Sequence, residues 1–205
     1  IFDFDGTLMD TSGVIMSTIQ ATIEQMGLPP RSEQQCRSII GIRTDEAAAV
    51  LYPELPDFNA EFARIFRQNY ERLRSNAHEK TFPGVLESLS RLREQGHGLA
   101  IASSRRHSSL EDYLKGLGIL EWFSQIVGAE DVENGKPAPD PVVKVLNSMH
   151  WDTAETLVVG DADVDIMMGN AAGCPTCAVT YGNGSRQALE AAHPTYVIDS
   201  FEQLP

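Results

Sequence analysis

Residues 1–10 read IFDFDGTLMD: Ile1, Phe2 and Phe4 are interleaved with Asp3 and Asp5, and Gly6 and Thr7 follow. A strand built only for burial would not carry two carboxylates on alternate positions. Further along, the same arrangement of an apolar run closed by a polar residue returns. GLAIA (98–102) is followed by Ser103, and TLVVG (156–160) by Asp161. Between and after these runs lie QIVG (125–128), TCAVT (176–180) and TYVI (195–198). Amphipathic stretches separate them: Val85, Leu86, Leu89 and Leu92 ending at Gly96; Leu110, Tyr113, Leu114 and Leu117; Val142, Val143, Leu146 and Met149; and Ile166 to Ala172. Helices alternating with short, non-alternating β-branched runs predict a parallel sheet covered on both faces, an α/β doubly wound, Rossmann-like core. Such sheets bind ligands at the carboxyl ends of their strands. The acids at residues 3, 5 and 161 and the hydroxyl at 103 therefore fall on one edge.

Between the first run and residue 83 the pattern is helical. Ile15, Ile19, Ile23 and Met26 keep helical spacing until Gly27 and Pro29. Ser32 with Gln35 forms a capping-box signature, and Gly41 ends the short helix behind it. Another helix is expected from Thr44 to just before Pro53. The longest runs from Asp57 to about Asn76, with Phe58, Phe62, Ile65, Phe66, Tyr70 and Leu73 on one face. The aromatic stripe reads as packing inside this block and not as a binding surface. The expected organisation is a core from 1–11 and 81–205 with an all-helical cap, 12–80, inserted after the first strand.

The chain has 205 residues, with 16 Lys and Arg against 29 Asp and Glu, a net charge of −13. So negative a surface repels nucleic acid and anionic membrane, and neither is expected as a partner. A phosphate site would have to be locally positive. No run approaches the roughly 18 apolar residues of a membrane span, and no signal peptide is visible. Ile1 already reads as mid-strand, so a few residues are expected before it. A cytoplasmic location is the expectation, and oligomeric state is unreadable. Cys36, Cys174 and Cys177 are too few and too oddly placed for a disulfide framework, and read as buried thiols.

Asp3, Asp5, Asp161, Asp163 and Asp165 crowd one sheet edge, and Lys136 in ENGKPAPD (133–140) is the cation beside them. Like charges at contact distance repel by roughly a few kcal/mol at intermediate dielectric, so more positive charge is needed. A hard divalent cation supplies it, and Mg²⁺ favours one or two carboxylates with waters and phosphate oxygens.

DFDGT (3–7), a serine after an apolar strand, GKPAPDP (135–141) and VVGDADVD (158–165) together resemble the four ordered motifs of the haloacid dehalogenase superfamily. The likeness runs from residue 1 to about 182 and is nearest the phosphoglycolate-phosphatase-like branch. It implies that Asp3 is a nucleophile forming an aspartyl-phosphate, and that Asp5 is the general acid and base. Asp3, the backbone carbonyl of Asp5 and Asp161 would hold Mg²⁺. Ser103 and Lys136 would contact the phosphoryl group, and Asp165 would tether Lys136 or a water of the metal. Gly6 and Thr7 would turn N–H groups toward phosphate. Ser104 and Arg105 follow the serine as further phosphate contacts, though for Arg105 a surface charge fits equally. Arg43 in GIRTDE stands between substrate contact and solvated charge, and Asp163 reads as a solvated acid.

The implied function is a Mg²⁺-dependent phosphatase of small phosphorylated metabolites, either phosphoglycolate-like or sugar-phosphate-like. Within the same superfamily, Asp5 argues against carbon–halogen hydrolysis. The absence of lysine from 11–63 argues against phosphonate hydrolysis, and Ile15, where a mutase would place a histidine, against a sugar phosphomutase. A silent phosphate-binding module is the rival from another class.

Overall fold

The computed structural model describes residues 1–74 and 80–204. Its centre is the opening segment itself. Phe2 bridges Ile101 on one side and Val159 on the other, both in parallel register. The Phe2 amide donates to the Ala100 carbonyl at 2.9 Å, and the Asp3 amide to the Val159 carbonyl at 2.9 Å. Outward from it lie β3 (Ala100–Ala102) and β4 (Gln125–Val127) on one side. On the other lie β5 (Val158–Gly160), β6 (Thr176–Val179) and β7 (Tyr196–Ile198), again parallel. The expected parallel sheet is therefore present, and the opening segment runs inside it between β3 and β5.

Both faces are covered, and the pleat shows how. Phe2, Phe4, Leu99, Ile101 and Val159 join one apolar cluster with Val85 and Leu89 of α5 (Val85–Glu94) and Leu110 and Leu114 of α6 (His107–Leu117). Their alternate neighbours Ile1, Ala100, Ala102 and Val158 join the opposite cluster. There they meet Val142, Val145 and Leu146 of α7 (Asp140–Met149) and Met168 of α8 (Asp163–Ala171). Successive residues point to opposite faces, and because both faces are buried the strands read as unbroken apolar runs. Helix α9 (Arg186–Ala191) adds Leu189 against Ile166 and Ala178.

The cap is helical over its described length: α1 (Ser12–Gln25), α2 (Glu33–Arg37), α3 (Ala47–Leu51) and α4 (Asn59–Arg74). Ile19, Ile23, Cys36, Ile40, Leu51, Tyr52 and Phe62 form its separate core. The capping box at α2 is formed, with Ser32 and Gln35 bonding reciprocally. Two helices begin later than the sequence suggests. Residues 44–46 stay in a turn, because the amides of Glu46 and Ala47 both fold onto the Arg43 carbonyl. Asp57 stands outside α4 and accepts the Asn59 amide at 3.0 Å, an Asx turn leading into the helix and not its first turn. The expected end of α4 near Asn76 lies outside the described residues. An antiparallel ribbon, β1 (Met9–Asp10) with β2 (Lys80–Thr81), was not foreseen. Two residues per strand are too few to carry a period. The three cysteines are free and buried. Among the described residues no helix is long and apolar enough to cross a membrane.

Candidate active site

Asp3 leaves the central segment, Asp161 follows β5, and Asp165 sits in the first turn of α8. Their carboxylates lie within 4.8 Å of one another, all buried. Lys136 reaches them from the loop before α7, with Nζ 2.5 Å from Asp3 Oδ1 and 2.6 Å from Asp165 Oδ1. The other Asp165 oxygen accepts the Ala162 amide at 3.0 Å, which leaves Asp165 committed on both sides. Asp161 is held by the Thr7 hydroxyl at 3.0 Å and the Asn183 amide at 2.7 Å. Gly6, at φ +85°, and Gly182 wrap it so closely that a Cβ would stand 2.1 Å and 2.4 Å from Asp161 Oδ2. The Gly6 amide donates to the Met9 carbonyl at 2.8 Å, so what Gly6 contributes is its turn and its missing side chain.

Burial pushes the Asp3 carboxyl up to about 7, with Lys136 pulling it down and Asp165 adding to the rise. Asp161 is raised well above the usual carboxylate range by burial, then by Asp165 and Asp3. For Lys136, burial works against the charge, but Asp165 and Asp3 more than reverse it. The two directions conflict for the Asp3–Lys136 pair, since one favours a neutral acid and the other a charged lysine. The 2.5 Å contact favours the ion pair, and the rise on both acids comes first from burial. Three carboxylates against a single lysine, with hard oxygen donors and no His or Cys among them, suit a hard divalent cation.

The lysine side chain is only 2% exposed. Replacing one partner of so buried a pair costs about 3–5 kcal/mol. Lys136→Met is therefore expected to lower unfolding free energy by about that amount in urea melts run in EDTA. Arg186→Ala, which breaks an exposed pair with Asp199, should cost less than about 1 kcal/mol. Equal costs for the two would mean that Lys136 does not neutralise the cluster.

Asp5 stands apart from the three acids. The Arg105 guanidinium holds both of its oxygens, Nε to Oδ2 at 3.0 Å and Nη2 to Oδ1 at 2.5 Å, and the Thr11 hydroxyl donates to Oδ1 at 2.6 Å. A cavity of about 440 Å³ opens between core and cap, lined by Asp3, Asp5, Ser103, Ser104, Arg105 and Arg43 and walled by Ile15, Ile39 and Phe66. Ser103 Oγ accepts the Arg105 amide at 3.2 Å. The Ser104 hydroxyl donates to the Gly41 carbonyl of the cap at 2.7 Å. Arg43 is paired with Asp45 at 3.1 Å and reaches across to the Val132 and Glu133 carbonyls at 3.4 and 3.3 Å. It thus braces cap against core while lining the cavity. Asp163 is exposed.

The sequence did not single out Asn183, Thr11 or Tyr70. Gly182–Asn183–Gly184 resembles any turn after a strand, and only its position beyond β6 could have marked it. By spacing alone, Tyr70 falls in the cap interior with the rest of its stripe. In the structure Phe66 and Tyr70 line the cavity, and the Tyr70 hydroxyl meets Arg105 at 2.7 Å. A four-residue spacing advances about 40° past a full turn at each step. The stripe from Phe58 therefore winds round α4, and its last ring faces the core.

The sequence profile of the family described as haloacid dehalogenase-like hydrolase matches residues 1–179. The chain belongs to this family. Curated relatives of this hydrolase span nearly its whole length. It is 30% identical over 210 residues to the protein named probable phosphatase IndB of Dickeya dadantii, covering 100% of this chain and 90% of that one. It is likewise 30% identical over 224 residues to phosphoglycolate phosphatase of Salmonella typhimurium, covering 99% and 89%. Among solved structures, a haloacid dehalogenase-like hydrolase, so described, from Bacteroides fragilis superposes with a TM-score of 0.89. It is 29% identical, with 100% of this chain and 97% of that one covered. The α/β core with a helical cap is the fold of these haloacid dehalogenase-like proteins.

Proposed function

We propose that this hydrolase is a Mg²⁺-dependent phosphatase of small phosphorylated metabolites, working through an aspartyl-phosphate on Asp3. The broader class, phosphoric monoester hydrolase, follows from the family and from relatives, named phosphoglycolate phosphatase and probable phosphatase, that the chain covers over most of their length. The observation that carries the finer reading is the meeting of Asp3, Asp161 and Asp165 within 4.8 Å, with Asp3 also lining a cavity large enough for a small ester.

In this reading Asp3 attacks phosphorus, while Lys136 keeps the attacking carboxylate turned and offsets charge on the phosphoryl oxygens. Asp5 gives its proton to the departing alkoxide, then takes one from the water that hydrolyses the acyl-phosphate. Ser103, beside Asp3 at the cavity wall, donates to a non-bridging oxygen. Asp165, with both oxygens engaged, positions Lys136. Asp3, Asp161 and the Asp5 carbonyl would hold the metal, which when bound adds positive charge against the phosphate oxygens. Phosphoglycolate and sugar phosphates are the first substrates to try, the former because a relative is named for it.

The test is phosphate release from a panel of such esters, with and without chelator. Activity should vanish in excess EDTA and return with Mg²⁺, while Ca²⁺, which takes more oxygen ligands, should not restore it. Full turnover in EDTA would overturn the metal assignment.

A further inference from the structure

The reaction above uses Asp5 but gives no part to the group that holds it. The Arg105 side chain is 8% exposed, and a guanidinium so enclosed is placed, not solvated. Its fork grips both oxygens of Asp5, its Nη1 donates to Tyr70 at 2.7 Å and to Ser109 at 3.1 Å, and its Cζ stands over the rings of Tyr70 and Tyr113, 5.0 and 4.9 Å from their centres. The Tyr70 and Tyr113 hydroxyls are 2.6 Å apart. Tyr70 belongs to cap helix α4, whereas Asp5, Arg105 and Tyr113 belong to the core. A bidentate arginine fixes the plane of a carboxylate as well as its place, which a lysine at the same point could not do.

We propose that Arg105 is a positioning residue that aims the Asp5 carboxyl, and that Tyr70 makes this aim depend on the cap being seated. The inference rests on the reading of Asp5 as the proton carrier. It assigns Arg105 a task different from contacting phosphate. Opening the cap removes Tyr70 from Nη1, which leaves the fork held from the core alone. Proton delivery is then tied to closure without any cap residue touching the reacting atoms.

Arg105→Lys keeps the charge and loses the fork. Misplacing a reacting group by about 1 Å can cost on the order of 10²-fold. The variant should therefore lose about that factor in kcat on alkyl phosphates, with KM little changed. Nitrophenyl phosphate needs no proton for its leaving group. Its first step should survive, so rapid mixing should show a burst of nitrophenol while later turnover slows. In the Asp5→Asn background the same substitution should cost nothing further, because the group it aims is gone. A raised KM with equal loss on both ester types, or a full additional loss in the double variant, would make Arg105 a phosphate or folding residue and overturn the proposal. Should Arg105→Lys fail to fold, Tyr70→Phe decides. It keeps the ring and loses one bond to a charged group, so kcat on alkyl esters should fall about tenfold; unchanged kcat would overturn the cap's part. Normal alkyl turnover by Asp5→Asn alone would instead refute the underlying reading of Asp5.

Discussion

Asp3→Asn is expected to abolish phosphoryl transfer on every substrate, activated or not. The amide cannot attack phosphorus, and neither Asp161 nor Asp165 is free to take its place. Asp161 is fixed by Thr7 and Asn183, and Asp165 by Lys136 and the Ala162 amide. Loss of a nucleophile that works within a concerted set costs on the order of 10⁵–10⁶-fold. The fold should survive, since Lys136 keeps its 2.6 Å contact with Asp165 and one crowded acid is removed. Intact-protein mass spectrometry after mixing with nitrophenyl phosphate should find no adduct on the variant. An adduct there, or residual turnover above about a thousandth of wild type, would place the nucleophile elsewhere.

Asp5→Asn is expected to act differently on the two half-reactions. Asp3, the proposed nucleophile, and the backbone carbonyl at position 5 remain, but the proposed proton carrier is gone. General acid–base assistance contributes ~10²–10⁴-fold, so alkyl phosphates should lose activity in that range. With an aryl ester the first step proceeds and hydrolysis of the acyl-phosphate stalls. A stoichiometric burst of nitrophenol and an adduct mapping to Asp3 are the expected signatures. Normal alkyl turnover, or an adduct on another residue, would refute the division of labour.

What made the core legible was a contrast of environment along single strands. A run such as Leu157–Val158–Val159 is apolar because both sheet faces are buried, so Asp161 at its end could only be exceptional. The same contrast exposed Asp3 and Ser103. Lys136 was legible as the cation beside a surplus of acids. Asn183 was not, because its part is to donate an amide to Asp161 across 22 residues of chain, and a Gly-Asn-Gly turn shows nothing of that. Arg105 was visible, but its partner was not. Whether a guanidinium binds a phosphate or a neighbouring aspartate depends on distances that composition and spacing do not carry. The ribbon of β1 and β2 fell below the shortest period that patterning can detect.

That ribbon has an evolutionary consequence. Asp10 and Lys80 are register partners, so the chain departs from the ribbon and comes back to it through two neighbouring residues. The stretch between Thr11 and Lys80 can then lengthen, shorten or be exchanged as one cassette, with the seam between Met9 and Thr81 unchanged. New lids, and with them new substrates, then fit the same core chemistry as long as each keeps the hydroxyl of Thr11 on Asp5 and a partner for Arg105 where Tyr70 stands.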